Sequence, residues 1–109
     1  MLFRSHIQVI PEFDFPGHSH AAIKSMIARH DRLVRQGNEE AAKKFLLSDP
    51  EDKSRYITIQ GFTDEAVNPC IQSTYNFLEH LLTTLFRLHR DIQPLTLYHF
   101  GGDEVRNGV

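Results

Sequence analysis

Two segments rich in β-branched, aliphatic and aromatic residues lie near opposite ends of this chain. The first, HIQVIPEF, covers residues 6–13, and the second, LTLYHF, covers residues 95–100. This composition favours strands. Because a long stretch with helical patterning separates them, the two strands are expected to be parallel and joined by a right-handed crossover. Parallel strands end at the same edge of a sheet, so the loops that follow them are predicted to meet.

Apolar residues at helical spacing predict two helices directly after the first loop. Ser19 is a candidate N-cap for the first helix, and Gly37 suits the position after its last turn because glycine tolerates a left-handed backbone. Asn38, followed by two glutamates, is a candidate N-cap for a second, shorter helix. The crossover is therefore predicted to begin with a helical pair.

A third helix is predicted later in the crossover. Asn68 and Pro69 form a strong start signal, with Asn as the cap and proline at the first helical position, and the apolar stripe continues to about Arg90. Before this helix, RYITIQGF at residues 55–62 alternates well enough for a strand, although Gly61 and the acidic turn after it also fit an extended loop.

The size of this unit indicates that it belongs to a larger α/β domain. The chain has 109 residues, of which 40% are hydrophobic. Two parallel strands leave both sheet edges unpaired, and parallel sheets normally have both faces covered. A (β/α)₈ TIM barrel of roughly 250 residues would complete such a sheet, and its catalytic groups follow the C-terminal ends of its strands. Both predicted loops lie at such ends.

Charge and hydropathy exclude several classes of partner. The formal charge of -2 and the pI of about 6.4 provide no basic surface for nucleic acid or for an anionic membrane. No apolar run approaches the ~20 residues that a membrane span needs. The lone Cys70 excludes an internal disulfide. The sequence leaves the oligomeric state open.

The loops after the two predicted strands carry the candidate catalytic residues. PGHSH contains His18, and GGDE ends in Asp103 and Glu104. Neighbouring strands lie ~4.8 Å apart, so His18 is expected to converge on the two carboxylates. A carboxylic acid beside another carboxylate has a raised pKa, which suits a general acid near neutral pH. The two glycines provide the bend that lets adjacent carboxylates serve one pocket.

Less specific interpretations stay open on the residues alone. Asp103 and Glu104 also fit a solvated turn. His18 and His20 have an HxH spacing that some metal ligands show, and His99 could join them, but no third ligand has convincing spacing. We therefore predict no metal site and no cofactor.

Taken together, the motifs resemble one known family. The string HFGGDEV with the upstream PEFDFPGHSHAAIKSM resembles glycoside hydrolase family 20, the β-N-acetylhexosaminidases. The asparagine-proline-cysteine step and the helix after it resemble the chitobiase branch. The resemblance covers nearly the whole chain. It implies that residues 1–109 are a partial catalytic (β/α)₈ barrel domain, truncated at both ends, that runs as a parallel β-α-β segment from about the third strand to the fourth.

The resemblance implies a retaining glycosidase that releases terminal β-linked N-acetylglucosamine or N-acetylgalactosamine from chitooligosaccharides or glycoconjugates. In its substrate-assisted mechanism, the acetamido oxygen of the sugar attacks the anomeric carbon. Glu104 would protonate the leaving oxygen and later activate water, and Asp103 would hold the acetamido N–H. His18 would belong to a relay that tunes Glu104. Asp14 and His99 match motif positions and take supporting roles in substrate binding or the relay.

The resemblance also implies that the rest of the pocket lies outside this segment. A sugar-binding arginine and the carboxylate that completes the histidine relay are expected before it. Tryptophans, a tyrosine and an aspartate are expected after it. The isolated chain is therefore predicted to be inactive. An extracytoplasmic location, whether periplasmic, secreted or lysosomal, is a further implication of the family.

Two alternatives belong to other classes of protein. Gly-Gly-Asp-Glu also opens the signature of diguanylate cyclases, where it forms a nucleotide-binding turn, although here Val105 replaces the expected Phe. The chain could also be a non-catalytic structural or carbohydrate-binding fragment. The hydrolase interpretation is favoured because the string stands at the matching distance from the Pro-Gly-His loop.

Overall fold

The computed structural model describes residues 6–104, and Val105 lies outside this range. The described part contains three helices and one two-stranded antiparallel sheet. In chain order the elements are α1 (His20–Arg35), α2 (Glu39–Lys43), β1 (Tyr56–Ile57), β2 (Thr63–Asp64) and α3 (Gln72–His89). No helix within residues 6–104 is both long enough and apolar enough to cross a membrane.

The two predicted parallel segments lie side by side but do not form regular strands. A single parallel bridge joins Glu12 to His99. The Phe13 N–H donates to the His99 carbonyl at 3.3 Å, and the His99 N–H donates to the Pro11 carbonyl at 3.0 Å. The predicted parallel neighbourhood is confirmed, whereas the predicted extent of the strands is wrong. Pro11 lacks an N–H, which limits the ladder between the two segments.

The first helix begins and ends where its signals predict, and the second begins at its predicted cap but ends at Lys43, before the predicted loop at residues 48–54. Ser19 occupies the N-cap position of α1, although its hydroxyl donates to the Gly17 carbonyl at 2.9 Å instead of accepting from the helix. Gly37 follows the helix with a φ of 77°, as the glycine signal predicts. The Asn38 side chain accepts from the Ala41 N–H at 3.1 Å and caps α2.

The third helix begins later than its start signal predicts. Ile71 is the N-cap of α3, which extends from Gln72 to His89. Asn68 instead organises a turn ahead of the helix, because its side chain accepts from the Cys70 N–H at 2.8 Å. Its carbonyl also accepts from the Thr74 hydroxyl at 2.7 Å. The Asn-Pro step therefore leads the chain into α3 without being its first turn.

The strand predicted within residues 55–62 is present only at Tyr56–Ile57, as the first strand of a β-hairpin that neither sequence interpretation includes. Tyr56 pairs with Asp64, and Ile57 pairs with Thr63, in antiparallel register. Gly61 reverses the chain with a φ of 84°. The hairpin brings a tyrosine and an aspartate together at its open end, next to the loop that precedes α1.

The hydrophobic core is small and sits where α1 meets the segments before and after the hairpin. Ile23, Leu47 and Val67 form its buried centre, and Phe15 and Phe77 pack against it. In α3 Thr74 is buried, while Tyr75 is half exposed. The side chains of Ile59, Phe62 and Leu88 are 78%, 72% and 65% exposed. Much of the apolar surface thus remains open to solvent.

Candidate active site

The bridge between the two parallel segments brings the Pro-Gly-His loop against the Gly-Gly-Asp-Glu turn. A Cβ at Gly17 would lie 3.2 Å from the Asp103 carbonyl oxygen and 3.2 Å from the Tyr56 hydroxyl. Three parts of the chain therefore converge at Gly17: the loop before α1, the end of the second parallel segment and the hairpin. The predicted meeting of the two loops is confirmed, and the hairpin is an addition to it.

Asp14 holds the Gly-Gly-Asp-Glu turn in place. Its Oδ1 accepts from the Gly102 N–H at 2.7 Å and from the Asp103 N–H at 3.3 Å. Gly101 and Gly102 have φ angles of 68° and 89°, and a Cβ at Gly101 would overlap the Asp14 carboxylate. The turn depends on glycine for both its backbone conformation and its close approach to Asp14. The geometry therefore gives Asp14 a contact with the backbone of the turn.

His18 lies between two carboxylates. Its Nδ1 is 3.1 Å from Asp64 Oδ2, and its Nε2 is 3.3 Å from Glu104 Oε2. Its backbone has a φ of 53°, and its N–H donates to the Tyr56 hydroxyl at 3.3 Å. The prediction that His18 converges on Asp103 and Glu104 is confirmed for Glu104. The second carboxylate, Asp64, comes from the hairpin.

Asp64 is buried and accepts hydrogen bonds at both oxygens. Oδ1 accepts from the N–H groups of Glu65 at 2.8 Å and His20 at 3.2 Å, and Oδ2 accepts from the Tyr56 hydroxyl at 3.1 Å. Burial by itself would raise the pKa of Asp64, but these donors and the nearby His18 together hold it below its ordinary value. Asp64 is therefore a carboxylate within this segment that contacts His18, and the prediction that the carboxylate of the histidine relay lies before the segment stays a prediction.

Glu104 presents its two oxygens to different neighbours. Oε1 accepts from the Gln60 side chain at 3.3 Å. Oε2 is a buried atom at ion-pair distance from His18 Nε2, but the two groups are not aligned as a hydrogen bond. Like His18, Glu104 has a φ of 53°. A partly exposed carboxyl group beside an imidazole can exchange a proton with a molecule bound in front of it.

Asp103 lies on the same turn but in a different environment. The residue is exposed, and its backbone N–H is fixed by Asp14. Its neighbour Glu104 is only partly exposed and faces His18. The two carboxylates therefore differ in exposure and in their neighbours. Two carboxylates in different surroundings often have different chemical roles.

His99 has contacts of another kind. Its side chain is exposed, and its Nδ1 accepts from the Gly101 N–H at 3.1 Å and lies 3.3 Å from Glu12 Oε1. These contacts place it against the start of the turn, while His18 contacts the end of the turn at Glu104. The structure therefore does not bring His99 into the contact between His18 and Glu104.

The HxH pair is divided between two carboxylates. His18 contacts Asp64, whereas His20 Nδ1 is 3.1 Å from Glu65 Oε1. Lys24 and Arg55 also reach that glutamate oxygen, at 3.3 Å and 2.9 Å. Across residues 6–104, no group of three or more His, Cys, Asp or Glu side chains is arranged to hold a metal ion.

Comparison with known proteins identifies the family of this chain. The model of the catalytic domain of glycosyl hydrolase family 20 matches residues 3–109. The chain belongs to this family. Family 20 catalytic domains are TIM barrels, in agreement with the predicted α/β class. Membership is inconsistent with the nucleotide-cyclase interpretation of the Gly-Gly-Asp-Glu string.

Curated relatives of this family 20 chain are longer proteins. It is 46% identical over 101 residues to beta-hexosaminidase B of Pseudoalteromonas piscicida, covering 92% of this chain and 13% of the relative. It is 45% identical over 101 residues to a beta-hexosaminidase of Vibrio vulnificus, covering 92% and 12%. With N,N'-diacetylchitobiase of Vibrio harveyi it shares 41% over 104 residues, covering 94% and 12%. The chain spans about an eighth of the length of these relatives.

Sequence reasoning missed three residues of the site in this family 20 chain, and all three lie on the hairpin. They are Tyr56, Gln60 and Asp64. The available signal was the alternation at the start of residues 55–62 with Gly61 near the end of that range, which also fits a hairpin with a short turn. Pairing across that turn would have placed Tyr56 opposite Asp64.

Two surface cavities adjoin these residues. The smaller, about 360 Å³, is lined by His18, Gln60, Phe62 and Asp64 among others. The larger, about 470 Å³, is lined by Arg55, Tyr56, Glu65 and Asn68 among others. The smaller cavity is the one next to Glu104, because His18 and Gln60 both line it and both contact Glu104.

Proposed function

We propose that this chain is the acid/base-bearing segment of a β-N-acetylhexosaminidase. The full-length protein would release terminal β-linked N-acetylglucosamine or N-acetylgalactosamine from chitooligosaccharides or glycoconjugates. The observation that carries the proposal is the contact between His18 and Glu104 in a family 20 chain. The names of the bacterial relatives, beta-hexosaminidase and N,N'-diacetylchitobiase, support the same substrate class.

In the first step, Glu104 acts as the general acid. Its carboxyl proton passes to the glycosidic oxygen while the bond between that oxygen and the anomeric carbon breaks. The acetamido oxygen of the same sugar forms the new bond to the anomeric carbon, which gives an oxazolinium intermediate. The ring of His18 lies 3.3 Å from Glu104 Oε2, where it can hold that carboxyl group in position.

In the second step, the same carboxylate acts as the general base. Water attacks the anomeric carbon, Glu104 takes a proton from the water, and the acetamido group is released from that carbon. Each step inverts the anomeric configuration, so the product retains the configuration of the substrate. Glu104 returns to its protonated form and is ready for another turnover.

Asp103 has the second role in this proposal. Its carboxylate would accept a hydrogen bond from the acetamido N–H and stabilise the positive charge that develops on the oxazolinium ring. Its backbone is fixed by the Asp14 carboxylate, and its side chain is exposed on the turn that carries Glu104. An exposed carboxylate on a fixed backbone is available to a bound sugar.

We further propose that residues 1–109 are part of a longer barrel domain that supplies the rest of the pocket. The Cα radius of gyration is 16.2 Å, whereas a compact domain of this length has roughly 13 Å. The buried centre of the core consists of Ile23, Leu47 and Val67. Large apolar side chains on the hairpin and α3 are exposed, and further barrel elements would cover them.

A hydrolysis assay tests the proposed function. The full-length protein and the 109-residue chain would be incubated with a chromogenic β-N-acetylglucosaminide and with chitobiose, and the anomer first released would be identified by NMR. We expect the full-length protein to release the β-anomer and the isolated chain to be inactive. Release of the α-anomer, or no hydrolysis of either substrate by the full-length protein, would contradict the proposal.

A further inference from the structure

We infer that His99 is a positioning residue, whose ring holds the first N–H of the Gly-Gly-Asp-Glu turn and thereby fixes where Asp103 and Glu104 lie. The inference rests on the proposed function, because it concerns the placement of the proposed acid/base group. This role differs from the substrate-binding or relay role that the family resemblance implies for His99.

The backbone of His99 is fixed by the first parallel segment. Its N–H donates to the Pro11 carbonyl at 3.0 Å, and its carbonyl accepts from the Phe13 N–H at 3.3 Å. The next carbonyl, that of Phe100, accepts from the Phe15 N–H at 3.2 Å. The side chain of His99 is therefore carried by a paired stretch of backbone.

The turn that follows is held by side chains. The Gly101 N–H donates to His99 Nδ1 at 3.1 Å. The next two N–H groups, those of Gly102 and Asp103, donate to Asp14 Oδ1. Both glycines have a positive φ, and glycine has more conformational freedom than any other residue. Two side-chain acceptors, one on each parallel segment, therefore restrict a turn that is otherwise free to change its conformation.

The position of this turn determines the position of the proposed acid. Glu104 follows the two glycines after one residue, and its own φ of 53° is unfavourable for a residue with a side chain, so surrounding contacts must maintain it. A displacement of a reacting group by about 1 Å can reduce a rate about 100-fold. Loss of the acceptor for Gly101 is therefore expected to slow the proton transfer from Glu104.

The hydrogen bond from Gly101 requires one arrangement of protons on the His99 ring. Nδ1 has a single lone pair, and it accepts from Gly101 only while it carries no proton. Glu12 Oε1 lies 3.3 Å from the same nitrogen, but this contact lacks the alignment of a hydrogen bond. A proton on Nδ1 would make it a donor to Glu12, and Gly101 would lose its acceptor. The inference therefore places the proton of the neutral ring on Nε2.

The contact from His99 to Gly101 has the form of an Asx turn, in which a side chain accepts from the N–H two residues later. In histidine and in asparagine alike, the δ1 acceptor is bonded directly to Cγ. The substitution His99→Asn therefore keeps an acceptor close to the place of Nδ1. The substitution His99→Leu keeps a branched Cγ but removes the acceptor, so the two variants separate hydrogen bonding from side-chain bulk.

The test compares chitobiose hydrolysis by the full-length protein with His99→Leu and with His99→Asn. For His99→Leu we expect kcat to fall roughly 10- to 100-fold with KM nearly unchanged, because a misplaced acid slows the chemical step. His99→Asn should keep kcat within about threefold of the wild type, because its Oδ1 accepts from Gly101. Equal losses in the two variants, or no loss in His99→Leu, would overturn the inference.

His80 on α3 provides a matched control. This histidine is exposed, and its ring packs against Phe45 with 5.5 Å between the ring centroids. Both His80→Leu and His80→Asn should keep wild-type kcat and KM. A fall of kcat in His80→Leu as large as that in His99→Leu would show general damage and would also overturn the inference.

Hydrogen exchange makes the test independent of activity. Mass spectrometry at single-residue resolution should show a protected Gly101 N–H in the full-length wild type and in His99→Asn, and exchange faster by about tenfold or more in His99→Leu. Where His99→Leu does not fold, an unprotected Gly101 N–H in the wild type or in His99→Asn would overturn the inference. Protection of Gly101 in a wild type that hydrolyses neither chitobiose nor the chromogenic substrate would instead count against the proposed function.

Discussion

His18 and Glu104 lie on opposite sides of the helical crossover in sequence, yet His18 Nε2 is 3.3 Å from Glu104 Oε2. The parallel bridge between Glu12 and His99 produces this proximity, because it brings the two following loops to one edge. The contact connects the fold with the proposed chemistry, because it places an imidazole beside the carboxyl group that is proposed to transfer the proton.

The first prediction concerns Asp103. In the full-length protein, Asp103→Asn should greatly reduce turnover, because a neutral amide cannot stabilise the charge of the oxazolinium ring as a carboxylate does. It should also weaken binding of a thiazoline mimic of the intermediate, measured as an inhibition constant. Asp91→Asn, an exposed aspartate beyond α3, serves as the control. Unchanged thiazoline binding in Asp103→Asn would remove the role assigned to this residue.

The second prediction concerns the glycine that contacts Asp14. Gly101→Ala combines an unfavourable φ of 68° with overlap of the new Cβ and the Asp14 carboxylate. Gly37→Ala is a matched control, because Gly37 has a φ of 77° with nothing within 4 Å. The control should lose about 1 kcal/mol of stability through backbone strain alone. Gly101→Ala should lose more and should also reduce kcat, and equal losses without a fall in kcat would show that the Asp14 contact is unimportant.

The third prediction concerns the stability of the site in acid. Although burial opposes it, hydrogen bonding holds the pKa of Asp64 below its ordinary value of 3.8. A depressed pKa means that the ionised group stabilises the folded state above pH ~4 and that this contribution is lost as the pH falls through the folded pKa. The melting temperature of Asp64→Asn should therefore approach that of the wild type in acid. Parallel melting curves from pH 7 to pH 3 would contradict this account.

The fourth prediction concerns the isolated chain. Its small buried core and exposed apolar side chains predict marginal stability. Urea unfolding followed by circular dichroism should show a shallow transition at low denaturant, and the chain should have no measurable hydrolase activity. A steep transition at high denaturant would show that residues 1–109 fold as an independent domain.

Much of this arrangement was predictable from local signals. Asn38 and Gly37 mark helix ends through their own backbone preferences, and both signals were correct. The meeting of His18 with Glu104 followed from the direction of two parallel segments. These features depend on local chemistry or on a single topological rule, both of which a sequence expresses directly.

The remaining features depend on contacts between distant residues. The start of α3 was misplaced because Asn68 bonds to Cys70 and Thr74 in a turn ahead of the helix. Asp64 was missed because its importance arises only when the hairpin pairs it with Tyr56. A two-residue ladder has almost no periodicity of its own, so its pairing emerges from tertiary packing.

The central claim is that Glu104 is the general acid and base of this segment, and Glu104→Gln in the full-length protein tests it most directly. The measurement compares kcat/KM for chitobiose with the rate of aryl-group release from an activated aryl N-acetylglucosaminide, with Glu79→Gln on α3 as the control. We predict a loss of about 100-fold or more for chitobiose, whose leaving group needs a proton, and near wild-type release of the aryl group in the first turnover. Equal losses on both substrates would contradict the role of Glu104 as the general acid.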